Sequence, residues 1–207
     1  MTARAEMLER IRVALSTTGP GDGGMAGGYR TQGELAGAAL LDLLAERLFD
    51  YRSLVRRASA ATLAAEVSAA LTERGARMVV VPPEVGVPLP DFAVVTVDRG
   101  LTAAELDGFD AVVTRAAVAI AETGTIVLDG APDQGRRAIS LVPDYHLCIV
   151  AADQVVHLVP EAVERLADAV SQPLTWISGP SATSDIELER IEGVHGPRTL
   201  EVILVTA

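Results

Sequence analysis

The sequence predicts an α/β protein, a sheet joined by crossover helices behind an N-terminal helical arm. From Asp50 onward, short β-branched runs alternate with stretches whose apolar residues recur at three- and four-residue spacing, the pattern of strands linked by helices. A chain of 207 residues, 49% hydrophobic and 22% charged, buries enough surface to fold without crosslinks. Eighteen apolar residues never run together, so no segment reads as a membrane span.

Leu8, Ile11 and Leu15 mark a first amphipathic helix over 3–15, and Leu41, Leu44 and Leu48 a second over about 33–49. Between them 17–28 is mostly glycine, costs much backbone entropy to order, and reads as a flexible linker. The sequence therefore divides into an arm, 1–49, and an α/β domain, 50–207. Leu63, Val67 and Leu71 begin the domain as a helix that Arg74 and Gly75 end. Strands follow at Met78 to Val81, Ala93 to Val97 and Ala111 to Thr114, with a Thr102/Glu105 capping box opening a short helix before the last of these. Ile126 to Leu128, His146 to Ala151 and Val155 to Val159 come with little helix between them, which predicts an antiparallel part of the sheet. Pro160 opens a helix with Val163, Leu166, Ala167 and Val170 on one face. A strand at Leu174 to Ile177, a short helix after Ser184 and a strand at Leu200 to Val205 complete the domain.

The formal net charge is −11, and all seventeen basic residues are arginines. Such a surface repels phosphate backbones and anionic lipids, so nucleic acid and membranes are poor partners. Without lysine, neither a Schiff base nor a Walker-type phosphate loop is available. The lone Cys148 sits in an apolar run, where it reads as a small core residue, and can neither close an internal disulfide nor ligate a cluster. Glu6 and Glu9 spoil a signal peptide, and the expected compartment is the reducing cytoplasm. No His, Cys, Asp and Glu show metal-ligand spacing, so neither metal nor cofactor is expected.

Four segments carry candidate chemistry. Gly19, Gly21 and Gly24 match a dinucleotide-binding pattern, but a helix precedes them where a strand is required, and the linker reading prevails. Glu122-Thr123-Gly124-Thr125 and Gly135-Arg136-Arg137 flank a turn that can present backbone N–H groups and guanidinium forks to an anion, or be a hairpin with solvated charges. Ser178-Gly179-Pro180-Ser181 leaves a strand toward Thr183, Ser184, Asp185 and Glu187; those hydroxyls suit an anion site or are spent on capping and turns. His195 and Arg198 lie in a glycine-flanked turn before the last strand, where His195 is a titratable site group or a hydrogen-bonded structural one. His146 and His157 read as structural.

Leaving the glycine motif aside, the other segments together with the Pro143 to His146 stretch, in this order and spacing, resemble the LUD-domain family, in its lactate-utilisation protein C branch. The likeness covers roughly 50–207 and is strongest over the last 90 or so residues. The resemblance implies a three-layer α/β/α fold with a mixed, mostly parallel sheet, like the sugar-phosphate isomerases and coenzyme A transferases. It further implies a cofactor-free accessory component of an iron-sulfur-dependent system that oxidises L-lactate to pyruvate, with iron-sulfur proteins as partners. A homo-oligomer is left open.

The candidate ligand-binding residues are Thr123, Gly124, Thr125, Arg136, Arg137, Ser178, Gly179, Ser181, Thr183, Asp185, His195 and Arg198, expected to converge on one pocket for a small anionic metabolite. Glu122 and His195 are the weak catalytic candidates. A stand-alone enzyme acting on an acyl or phosphorylated metabolite is the alternative, in which Glu122 resembles the glutamate of coenzyme A transferases; those continue Asn-Gly where this chain has Thr-Gly. A regulatory ligand-binding module would use the same pocket.

Overall fold

A computed structural model describes residues 3–17, 28–169, 171–184, 190–192 and 195–206. Elements follow in the order α1 (Ala3–Thr17), α2 (Gly37–Asp50), β1 (Leu54–Ser59), α3 (Leu63–Glu73), β2 (Met78–Val81), β3 (Val94–Val97), α4 (Ala103–Leu106), β4 (Ala111–Arg115), β5 (Val118–Ile120) and β6 (Thr125–Leu128). They continue α5 (Arg137–Leu141), β7 (Tyr145–Ala151), β8 (Val155–Val156), α6 (Val159–Arg165), β9 (Thr175–Ile177), β10 (Ala182–Ser184), β11 (Arg190–Glu192) and β12 (Thr199–Thr206).

Two compact units divide at Arg30/Thr31. The first holds α1, and nearly all of the expected linker, 18–27, lies outside the described residues together with the glycine motif. Within the second, α2 belongs to the core instead of to an arm: Leu40, Leu41, Leu44 and Leu48 are all buried. Their spacing makes one apolar stripe, and that stripe needs a sheet to cover it.

Six strands form one sheet in the order β1-β12-β7-β4-β2-β3, and all its pairings are parallel. Central β7 alternates Tyr145, Leu147 and Ile149 toward one face with His146, Cys148 and Val150 toward the other. Both faces are covered, which is why its sequence is apolar but for the hydrogen-bonded Tyr145 and His146. Val67, Ala70 and Leu71 of α3 pack with Leu147, Ile149 and Ile203 on the first face. On the second, Leu44 and Leu48 pack with Cys148, Val150 and Val202, and Ile139 of α5 packs with Val80 and Val112.

The antiparallel strands are not part of that sheet. They form a second one, β8-β5-β6-β9, in which β5–β6 and β6–β9 are antiparallel and β5–β8 is parallel. Its inner face joins the α2 core through Ala119, Ile126 and Leu128, and its outer face is capped by α6. Of the expected stripe Leu166, just past the end of α6, is buried, while Val163 is exposed and Ala162 takes the inner face; Val170 lies outside the described residues. The expected strand over 155–159 stops at Val156, because the Glu161 carboxylate accepts the Leu158 N–H at 2.7 Å and starts α6 there. The helix expected after Ser184 falls on 185–189, outside the described residues; on either side the chain is extended, and Ala182–Ser184 pairs antiparallel with Arg190–Glu192.

Candidate functional site

A cavity of about 510 Å³ opens where the two sheets meet. The six-stranded sheet supplies the amino ends of β7 and β12 through His146 and Leu200, which are register partners. The second sheet supplies β9 and the chain beyond its carboxyl end, Ser178 to Ala182. Arg137, Ser140 and Leu141 of α5 form a third wall, and His195 to Pro197 a fourth.

Local hydrogen bonds set these walls. Ser181 donates its N–H to the Pro197 carbonyl at 2.8 Å and accepts the His195 N–H on Oγ at 3.0 Å, so the two turns are clamped to each other. Behind Ser178 runs a chain of hydroxyls, with Thr125 Oγ1 2.8 Å from Ser178 Oγ and also 2.8 Å from Thr123 Oγ1. Thr123 and Thr125 are thus linked to the cavity through Ser178 without lining it. Gly179 (φ 90°) and Gly124 (φ 60°) are glycines for a packing reason. A Cβ on Gly179 would stand 2.8 Å from Cβ and the carbonyl oxygen of Tyr51, and one on Gly124 2.9 Å from Arg47, both at the C-terminal end of α2.

The paired arginines separate. Arg136 is committed to Asp98, donating from Nε at 2.6 Å and Nη2 at 2.9 Å, and also bonds the Leu101 carbonyl. That guanidinium holds the Asp98 carboxyl below the usual carboxylate range, aided by the N–H groups of Leu101 and Gly100. Arg137 has no carboxylate partner among the described residues and lines both the main cavity and an adjoining one of about 190 Å³. Arg198 points elsewhere, into a cavity of about 490 Å³ where Asp144 lies 3.3 Å from its Nε. His195 borders both that cavity and the main one.

The single pocket expected for all the candidates therefore gathers Arg137, Ser178, Gly179, Ser181 and His195, and it leaves out Arg136 and Arg198. Glu122 is on the β5–β6 turn, donating its N–H to the His157 carbonyl at 3.1 Å, and does not line the cavity. Thr183 is placed in β10 opposite Ile191, and Asp185 lies outside the described residues.

Three lining residues carried no signal or the wrong one in sequence. Ser140 is hidden inside an unrecognised short helix, donating to the Arg137 carbonyl at 3.1 Å. Trp176 is half exposed on the cavity wall, and its being the only tryptophan of the chain was the available clue. His146 is buried, with Nε2 2.8 Å from Thr114 Oγ1, and burial pushes its imidazole down to about 4. It is a neutral wall group. Cys148, one pleat further along the same face, has its thiol pushed up to about 12 by burial and is no nucleophile at neutral pH.

Among the described residues that line the cavity none is acidic, although the whole chain has 28 carboxylates against 17 arginines. Arg137, two histidines and the hydroxyl residues Ser140, Thr175, Ser178 and Ser181 line the cavity among otherwise apolar residues and glycines. Such a lining can bind an anion through charge-assisted hydrogen bonds. Among the described residues, no group of three or more His, Cys, Asp or Glu is placed to hold a metal, and no helix is long and apolar enough to cross a membrane.

The sequence profile of the LUD domain matches residues 45–205. A Deinococcus radiodurans protein called lactate utilization protein C is 46% identical over 98% of this chain and 95% of its own length. The Bacillus subtilis protein of that name is 35% identical over a shorter stretch, 45% of this chain and 41% of its own. A crystal structure of a DUF162 family protein from Deinococcus radiodurans superposes with a TM-score of 0.72 at 44% identity, covering 83% of this chain and 99% of that one. With the profile spanning most of the chain and a relative this similar over nearly all of it, the chain belongs to the LUD-domain family.

Proposed function

We propose that this protein serves lactate utilisation, the role in the names of its relatives, and does so by binding a small anionic metabolite in the cavity between its two sheets. The observation that carries the anion is Arg137 on a main cavity whose lining, among the described residues, holds no carboxylate, Asp129 lying on the smaller adjoining one. In a chain of net charge −11 a cavity bordered by a guanidinium and hydroxyls is a local reversal of the field, and a carboxylate is the group that benefits. Iron-sulfur proteins are the proposed partners. A chain with a single, buried cysteine supplies no thiolate set for a cluster, so the electrons leaving lactate are carried on other subunits. The transferase-like alternative has no foothold in the cavity, since Glu122 does not line it.

Calorimetry of L-lactate and pyruvate against the purified protein tests the reading. Binding is expected, and Arg137→Ala should weaken it by about 1.5–3 kcal/mol, the worth of a hydrogen bond to a charged group. Arg136→Ala, which breaks the pair with Asp98, is expected to lower stability and leave affinity nearly unchanged. Equal loss of affinity in both variants would refute the assignment of the site to Arg137.

A further inference from the structure

Lactate has about six non-hydrogen atoms, and at the roughly 30 Å³ that liquid water gives each of its oxygens it needs only about 180 Å³. The cavity offers about 510 Å³, with a further 190 Å³ on the other side of Arg137. Its size is that of a site for a much larger molecule. The composition of the wall says which kind. Aromatic residues make up only 3% of the chain, yet its single tryptophan lies here on β9, 43% exposed. Leu174, Pro180, Pro197 and Leu200 extend the apolar surface, while Arg137 lies where the two cavities adjoin. A flat apolar wall beside a cation with no carboxylate partner among the described residues matches a ligand with a flat ring at one end and a negative charge at the other.

We propose that the cavity takes a heteroaromatic mononucleotide, its ring stacked on Trp176 and its phosphate at Arg137. This rests on the anion-binding reading above and narrows it. Stacking suits the indole because any planar heteroaromatic offers a π-face, and the gain does not depend on the ring's hydrogen-bonding edge. The phosphate uses the guanidinium fork, with the Ser181 hydroxyl on the facing wall as a further donor. Neighbouring Arg136 cannot substitute, because Asp98 already occupies its fork.

Titration of the full-length protein with FMN, NMN and AMP, and with riboflavin, inorganic phosphate and lactate as partial ligands, tests the proposal by calorimetry. Tryptophan emission is read in parallel for NMN and AMP, and since Trp176 is the only tryptophan any change reports that site. At least one mononucleotide is expected to bind more than about tenfold tighter than phosphate, and the one that does so identifies the ring. Trp176→Ala should weaken that ligand roughly 5- to 100-fold, the range of ring-stacking losses, and leave phosphate within about twofold. Trp176→Phe should restore part of the loss, and it keeps the test valid if the alanine variant does not fold. Arg137→Ala should weaken both. If phosphate and lactate bind through Arg137 but the ring adds nothing, the mononucleotide is wrong and the anion site stands. If none of the probes binds, or binding ignores Arg137, both readings fall.

Discussion

His146 links the cavity wall to the stability of the fold. Its imidazole is buried against Thr114, and its folded value of about 4 lies below the ordinary 6.5 because burial penalises the cation. A depressed histidine is favoured neutral in the folded state, so its contribution is complete above about pH 6.5 and is lost as pH falls toward 4, where the unfolded chain binds the proton more readily. The gap between the two values corresponds to about 3 kcal/mol, most of it lost by pH 4.5. Urea titrations at pH 7 and pH 4.5 should show a loss that is smaller by about 2–3 kcal/mol in His146→Gln, and an unchanged difference would mean that the ring is solvated. Gly179 makes the complementary point about steric fit. Its φ of 90° and the 2.8 Å approach to the Tyr51 carbonyl oxygen leave no place for a Cβ. Gly179→Ala should cost about 2–4 kcal/mol in the same titration, combining left-handed strain and overpacking. A change below about 0.5 kcal/mol would show that Tyr51 yields freely.

At the level of elements, edge strand β1 is fastened by charge as well as by its ladder. Arg56 bonds the carboxylates of Glu201 on β12 and Glu73 on α3, and Tyr145 of β7 donates its hydroxyl to Glu201 at 2.9 Å. Glu201 is only 2% exposed, and its loss would leave the Tyr145 phenol without its acceptor and take one carboxylate from Arg56, which keeps Glu73. Glu201→Ala is expected to destabilise by about 1–3 kcal/mol, measured by denaturant midpoint. A cost under about 1 kcal/mol would mean that water replaces the carboxylate. This cluster was illegible in sequence because its members come from four separate elements with no spacing in common. Local signals were read well. Met78–Val81, the Thr102/Glu105 capping box and the Arg74-Gly75 helix end are all settled by residues within one or two turns. What failed depended on tertiary partners: α2 joins the core because a sheet covers its leucines, the antiparallel strands form their own sheet, and Ala162 rather than Val163 faces inward. The candidate site shows the same split. Ser178, Ser181 and His195 stood out by turn composition, whereas the parting of Arg136 from Arg137 is decided by Asp98, 38 residues earlier in the chain.

If the cavity takes an anion as proposed, the molecule as a whole works against it. A net charge of −11 repels an approaching anion at long range, and the attraction of Arg137 takes over only near the wall. Salt screens the long-range part first, since the Debye length falls from about 30 Å at 0.01 M to about 10 Å at 0.1 M. Stopped-flow association of an anionic ligand should therefore accelerate between those concentrations, and a slowing would mean that an attractive field surrounds the entrance. Cys148 gives the same molecule an internal clock. Its thiol is wholly enclosed in β7, an internal strand of the six-stranded sheet, and no other cysteine competes for a reagent. A thiol-specific probe can reach it only when that sheet opens. When reclosing outruns modification, the labelling rate under native conditions measures the free energy of opening; at high reagent it becomes the opening rate itself. One pulse-labelling series, read by a mass shift on a single peptide, then follows how ligands, pH and substitutions secure the centre of the protein, with no denaturant in the tube.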